Sequence, residues 1–189
     1  MQRRRACQLG VAALTPILLT PQLSLAGPGE AASAAPPELT NLRQLAQAQM
    51  RFFGLLIYDI RLWAKDAVDA QNWPQQVLAL ELEYARSLSG TEIAKRSLTE
   101  MRRQSEIGSE QAQRWLAEME AAFPDVKAGD RISGLNEPGA GINFFVNGRL
   151  QRSIKDPVFS RLFMGIWLAP QTSEPKLRKQ LLGSAAGGA

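Results

Sequence analysis

Val77-Leu78-Ala79-Leu80-Glu81-Leu82-Glu83-Tyr84-Ala85-Arg86 is the stretch on which the fold turns. Leu78, Leu80, Leu82 and Tyr84 recur at a period of two on one face, while Glu81 and Glu83 share the other, as in a half-buried β-strand. Two carboxylates on one face could form an acid–base pair; the plainer expectation is a solvated strand face. Ser89-Gly90-Thr91-Glu92 follows almost at once. It has the form of a capping box, so a helix should start there with Ile93, Leu98 and Met101 along one side. A strand giving way to an amphipathic helix in so few residues argues for a chain that mixes the two.

Upstream, residues 47–53 and 55–63 are rich in aromatic and aliphatic side chains with Gly54 between them, which reads as two strands or one strand with a bulge. Downstream, residues 109–122 form a second expected helix, with Trp115, Met119 and Ala122 inward and Phe123-Pro124 as its stop. Residues 130–154 read as short strands and turns, bending at Gly139-Ala140-Gly141 and at Asn147-Gly148, the strongest two-residue hairpin signal. Asp156-Pro157 then supplies a helix cap and a first-turn proline. The helix they open is almost continuously apolar through Val158, Phe159, Leu162, Phe163, Ile166, Trp167 and Leu168, and should be deeply packed. A last amphipathic helix over 173–182, entered through Pro175 and ended by Gly183, completes an α+β domain.

Arg3, Arg4 and Arg5 precede an apolar run over 9–19, and Ser24-Leu25-Ala26 offers a small-x-small cleavage site. Residues 1–26 are therefore expected to be a signal peptide and the mature protein periplasmic, with no integral membrane anchor after processing. An uncleaved anchor is the alternative, although the run is short for a bilayer and Pro16 and Pro21 break the segment. Residues 27–39, rich in Ala, Gly, Pro and Ser, read as a flexible linker, 40–183 as one domain and 184–189 as a disordered tail.

Removing the leader changes the charge. The 22 basic residues less three leader arginines leave 19 against 18 acidic ones, a net +1 in place of +4. No basic cluster with interleaved aromatics remains, which argues against nucleic acid as a partner. The chain has no histidine, and its one cysteine, Cys7, lies in the leader. Thiol and His-activated nucleophiles, thiolate or imidazole metal sites and dithiol redox chemistry are thereby excluded, and neither a cofactor nor a metal is expected. Carboxylate, lysine, tyrosine or arginine chemistry remains, or plain binding.

The order of these elements, with Ile57-Tyr58-Asp59 and Leu62-Trp63, Ser87-Leu88-Ser89-Gly90, Gly165-Ile166-Trp167-Leu168-Ala169-Pro170 and Leu181-Leu182-Gly183, resembles the chalcone isomerase superfamily in its bacterial, exported branch. The resemblance covers residues 42–183. It implies an open-faced β-sandwich, an antiparallel sheet covered on one face by helices, with a cleft between the layers for an apolar ligand. In the plant enzymes that cleft closes a chalcone to a flavanone, an arginine stabilising the enolate and a tyrosine and a threonine organising a water at the ketone. In ungapped frames the plant tyrosine matches Ile93, an asparagine one turn on matches Glu100, and the threonine matches Phe53, each losing the polar group the isomerisation uses.

Non-catalytic relatives in the superfamily bind fatty acids, with an arginine and a tyrosine holding the carboxylate above an apolar channel. The resemblance therefore implies a fatty acid or another apolar small molecule as the ligand, with Arg51 or Arg43 as the anchor and Tyr84 beside it. The plainer alternatives are an outward strand residue for Arg51 and a core tyrosine with a satisfied hydroxyl for Tyr84. Tyr58, amid Leu55, Leu56, Ile57 and Ile60, should be buried with its hydroxyl partnered. Trp115 and Trp167 read as core more readily than as cavity lining. Two other functions stay open, an isomerase of the intramolecular lyase type on an unknown substrate and an envelope interaction module with a filled cleft.

Overall fold

A computed structural model describes residues 35–183; the expected leader, residues 27–34 of the linker and the tail over 184–189 lie outside the described residues. Six strands, β1 (Arg43–Phe52), β2 (Leu55–Ala64), β3 (Leu78–Tyr84), β4 (Arg131–Glu137), β5 (Gly141–Val146) and β6 (Arg149–Ile154), make one antiparallel sheet in sequence order. Four helices accompany it, α1 (Gly90–Met101), α2 (Ser109–Ala122), α3 (Pro157–Leu168) and α4 (Pro175–Gly183). The expected α+β architecture is present.

The region around Gly54 resolves into two strands. Phe53 and Gly54 both take positive φ, 48° and 81°, and form a two-residue hairpin turn; Asn147 and Gly148 do the same at 49° and 79°. Although α1 and α2 intervene between β3 and β4, those strands pair directly from Leu78↔Asn136 to Glu83↔Arg131. The helical excursion is zipped at its base by reciprocal 3.0 Å backbone hydrogen bonds between Leu88 and Val126. Gly90 makes the closure possible, since a Cβ there would collide with the Phe123 carbonyl.

The period-two apolar face of β3 packs inward as expected, and Ala48, Ile60, Leu62, Ile132 and Phe144 extend it across the sheet. Against it lies α3, apolar nearly all round because it is covered by the sheet on one side and by α1 and α4 on others. Pro157, Val158 and Arg161 near its start reach solvent, Val158 being 54% exposed. Aromatic edges bind the layers together, with Phe144 and Phe163 centroids 4.9 Å apart and Phe163 and Trp167 5.6 Å apart.

The starts of α1 and α3 are each held by an aspartate. Asp156 Oδ1 accepts from the amides of Val158 and Phe159 at 3.0 Å, and its Oδ2 accepts from Trp115 Nε1 at 2.9 Å, coupling α2 to the cap of α3. At α1 the expected capping box does not form: Ser89 makes no side-chain cap, and Asp125 Oδ1, from beyond α2, accepts from Gly90 N at 2.9 Å. A long-range carboxylate has displaced the local hydroxyl.

The opposite sheet face corrects two expectations. Glu81 is not solvated but 1% exposed, accepting from Trp63 Nε1 at 2.9 Å and lying 3.3 Å from Arg61 and 3.7 Å from Arg131. Burial pushes its carboxyl above the ordinary range, and the two guanidinium groups and the indole N–H pull it partly back. Its cover comes from residues 35–42. There Leu39, in a 3-10 turn over Pro37–Leu39, packs with Trp63 and Ala79, and Glu38 accepts from Ser133 Oγ at 2.9 Å. Residues 35–39, within the stretch read as linker, are thus ordered against the sheet.

Candidate functional site

The inner sheet face and the helices do not close on each other everywhere. Between β1–β5 and helices α1 and α3 a cavity of about 350 Å³ remains, with a floor of Leu80, Leu82, Ile132 and Phe144 and walls of Ile93, Phe163, Ile166 and Trp167. Gly134 helps keep it empty. A Cβ on that strand residue would sit 3.2 Å from Ile142 and 3.3 Å from Phe144, in space the floor needs.

Tyr58 and Tyr84 put two phenol hydroxyls into the interior, beside buried Ser97, whose hydroxyl already donates to the Ile93 carbonyl at 2.8 Å. The two tyrosines face each other in register across β2 and β3, their rings edge-on at 5.9 Å. The Tyr58 hydroxyl accepts from Trp167 Nε1 at 3.0 Å, which leaves its own proton to donate. Burial pushes Tyr58 up to about 12 and Tyr84 further still. Both are neutral at physiological pH. Among the described residues no group pairs with the Tyr84 hydroxyl. The site therefore offers two neutral hydroxyl donors in an apolar chamber, and such a chamber disfavours developing charge.

Charge appears at the rim, on one face of α1. Glu92, Arg96 and Glu100 fall a turn apart there, with Glu174 across the opening. Arg96 is the one cation lining the cavity among the described residues, and Glu100 Oε1 holds it at 2.6 Å. Glu100 is nearly buried while Arg96 is 65% exposed, and Glu100 Oε2 has only the Arg103 guanidinium at 3.5 Å and no hydrogen bond. Among the described residues no group of three or more His, Cys, Asp or Glu is placed to hold a metal ion.

Of the residues singled out from sequence, the structure unites Tyr58 and Tyr84. It does not bring the two arginines to them. Arg51 follows Met50, which lines the cavity, and so points to the other sheet face, where it donates to the Gly54 carbonyl at 3.1 Å and to Gln49 Oε1 at 3.0 Å. Arg43 sits at the far end of β1, donating to the Lys65 carbonyl at 3.3 Å. Neither lines the cavity, which corrects their assignment as anchors. Ile93 and Glu100 do line it, as the ungapped frames from the helix lead imply, whereas Phe53 is 91% exposed at the hairpin tip. Trp167 lines the cavity and Trp63 lies on the opposite face. Arg96 was missed, yet its spacing of three from Ile93 and four from Glu100 was a readable signal that all three share a helix face.

A model of the chalcone isomerase-like family matches residues 51–183. The chain belongs to the chalcone isomerase-like family. An uncharacterized protein of Haemophilus influenzae is 29% identical over 151 residues, spanning 80% of this chain and 72% of that one. The crystal structure of a fatty-acid binding protein of Arabidopsis thaliana superposes with a TM-score of 0.58 at 14% identity, covering 77% of this chain and 89% of the plant protein. At that identity the likeness establishes a shared chalcone isomerase-like fold.

Proposed function

We propose that this chalcone isomerase-like protein is a non-catalytic binder of a fatty acid or another apolar small molecule, held in the cavity between the sheet and helices α1 and α3. The observation that carries the reading is the chamber itself: a mostly apolar cavity of about 350 Å³ whose lining includes two neutral tyrosine hydroxyls. That size falls in the range of small-molecule sites, and burying apolar ligand surface at ~25 cal/mol per Å² supplies the affinity. The fatty-acid binding protein of the same fold supports the ligand class. The ligand's polar end meets Tyr58 and Tyr84 inside or Arg96 at the rim, in place of Arg51 and Arg43.

Catalysis of the plant type has little to work with here. Ile93 stands on the cavity wall where the resemblance puts a tyrosine, and Phe53 is out of reach at the hairpin tip. The three leader arginines, the apolar run and the small-x-small site support export to the periplasm. N-terminal sequencing of the accumulated protein should then begin at Gly27.

Native mass spectrometry of the protein from its periplasmic fraction, followed by lipid extraction, tests the reading. A stoichiometric fatty acid or other apolar adduct, lost on substituting Ile93→Trp into the cavity wall, is expected. Empty protein that takes up no acyl chain in titration would refute it. Bleaching of a chalcone chromophore would instead establish an isomerase.

A further inference from the structure

The β1–β2 hairpin ends in Phe52-Phe53-Gly54-Leu55, and these side chains meet water: Phe52 is 59%, Phe53 91% and Leu55 53% exposed. Among the described residues few large apolar side chains are left outside, and half of those most exposed are here. A projecting turn is not a groove. It presents a convex apolar point, which suits insertion into a soft interface better than docking into a rigid partner.

The backbone makes the placement costlier still. Phe53 sits at φ 48°, left-handed space that favours Gly, Asn or Asp. The same molecule shows the unstrained solution at the same kind of turn, where Asn147 takes φ 49° and its side chain accepts from Arg131 N and donates to Asp130. At residue 53 a phenyl ring stands where an amide would serve the turn, and it makes its ring contact with its exposed neighbour Phe52. Strain retained for a side chain that packs into nothing in the core points to an external role.

Two further features identify the surface. Arg51 and Arg86 flank the tip, Arg86 following Ala85, whose amide bonds the Ile57 carbonyl; both are exposed, and among the described residues neither pairs with a carboxylate. Phe52 also belongs to the cavity lining, so the apolar tip is continuous with the cavity mouth. We infer that the β1–β2 hairpin tip is a lipid-bilayer contact site, with Phe53 and Leu55 entering the interface and Arg51 and Arg86 meeting lipid phosphates. This orientation brings the cavity mouth to the bilayer surface, from which an apolar ligand enters without crossing water.

The test is sedimentation of the full protein, as it accumulates in the cell, with vesicles of phosphatidylcholine containing phosphatidylglycerol as the minor component. No ligand is added, so the outcome does not depend on what the cavity binds. Phe53→Asn/Leu55→Ser, neither residue lining the cavity, should weaken partitioning by about tenfold or more. Its melting temperature should hold or rise, because Asn relieves the left-handed backbone. Arg51→Gln should weaken partitioning to a smaller extent and reduce its salt dependence. Wild-type protein that stays in the supernatant, or a double variant that partitions as the wild type does, would overturn the inference. A concentration-dependent dimer lost in the double variant, without vesicle binding, would overturn it in favour of self-association.

Discussion

Glu100→Gln should convert the cavity rim from an occupied cation to an available one. In the wild type the Arg96 guanidinium is held by Glu100 at 2.6 Å, so a ligand carboxylate reaching Arg96 must compete with a carboxylate already in place. Gln retains the size of the side chain and removes the charge; the loose ion pair to Arg103 at 3.5 Å is lost with it, but no hydrogen bond is, and half-exposed Arg103 turns to water. A ligand carboxylate at Arg96 would lie within ~5 Å of Glu100. Between the water and near-surface limits of Coulomb interaction, relief of that repulsion is worth about 1–2 kcal/mol at a guanidinium this exposed, or about 5- to 30-fold in affinity. Isothermal titration with hexadecanoate and with its methyl ester, on wild type and variant, reads the effect. The acid should tighten by that factor while the ester changes less than about twofold. Equal shifts for acid and ester, or none for either, would show that the polar end of the ligand does not sit at Arg96.

Asp156→Ala removes at once the oxygen that accepts from two amides at the start of α3 and the one that accepts from Trp115 Nε1; a loss of about 2 kcal/mol in urea unfolding is expected, and under 0.5 kcal/mol would mean water replaces the cap. Glu81 gives a pH signature. Its carboxyl titrates above the ordinary 4.5 in the folded chain because burial outweighs Arg61 and Arg131, so protonation favours the fold. The stability it contributes relative to Glu81→Gln should be greatest at and below pH 4.5 and fall as pH rises through the raised value. A difference that grows with pH in denaturation from pH 4.5 to 8 would show that ion pairing outweighs burial.

The strand periodicity of 78–84, the Asp156-Pro157 cap and the Asn147-Gly148 hairpin were legible because each is decided by neighbours in sequence. Glu81 was not, since a period of two assigns a residue to a face without saying what covers that face. Here the cover, Leu39 and its neighbours, comes from residues forty positions upstream. The Asp125 cap of α1 escaped for the same reason, the acceptor arriving from beyond α2. In the site, Tyr58 and Tyr84 were named, but their pairing depends on the β2–β3 register. The arginines were misplaced because Arg51 alternates away from Met50, and a one-residue step along a strand exchanges cavity for solvent.

The reciprocal Leu88–Val126 closure has a consequence for how this chain can change. Because β3 and β4 find each other directly and the helical excursion is clasped at its root, the sheet register is set by strand pairing alone, while Met101, Trp115 and Met119 tie the excursion into the core. The sheet contributes the floor and the tyrosine pair; the excursion contributes Ile93, Arg96 and Glu100. Substitutions on the cavity-facing side of α1 can thus reshape the cavity wall while the sheet keeps its register, so the chemistry of the chamber can drift without re-pairing a strand.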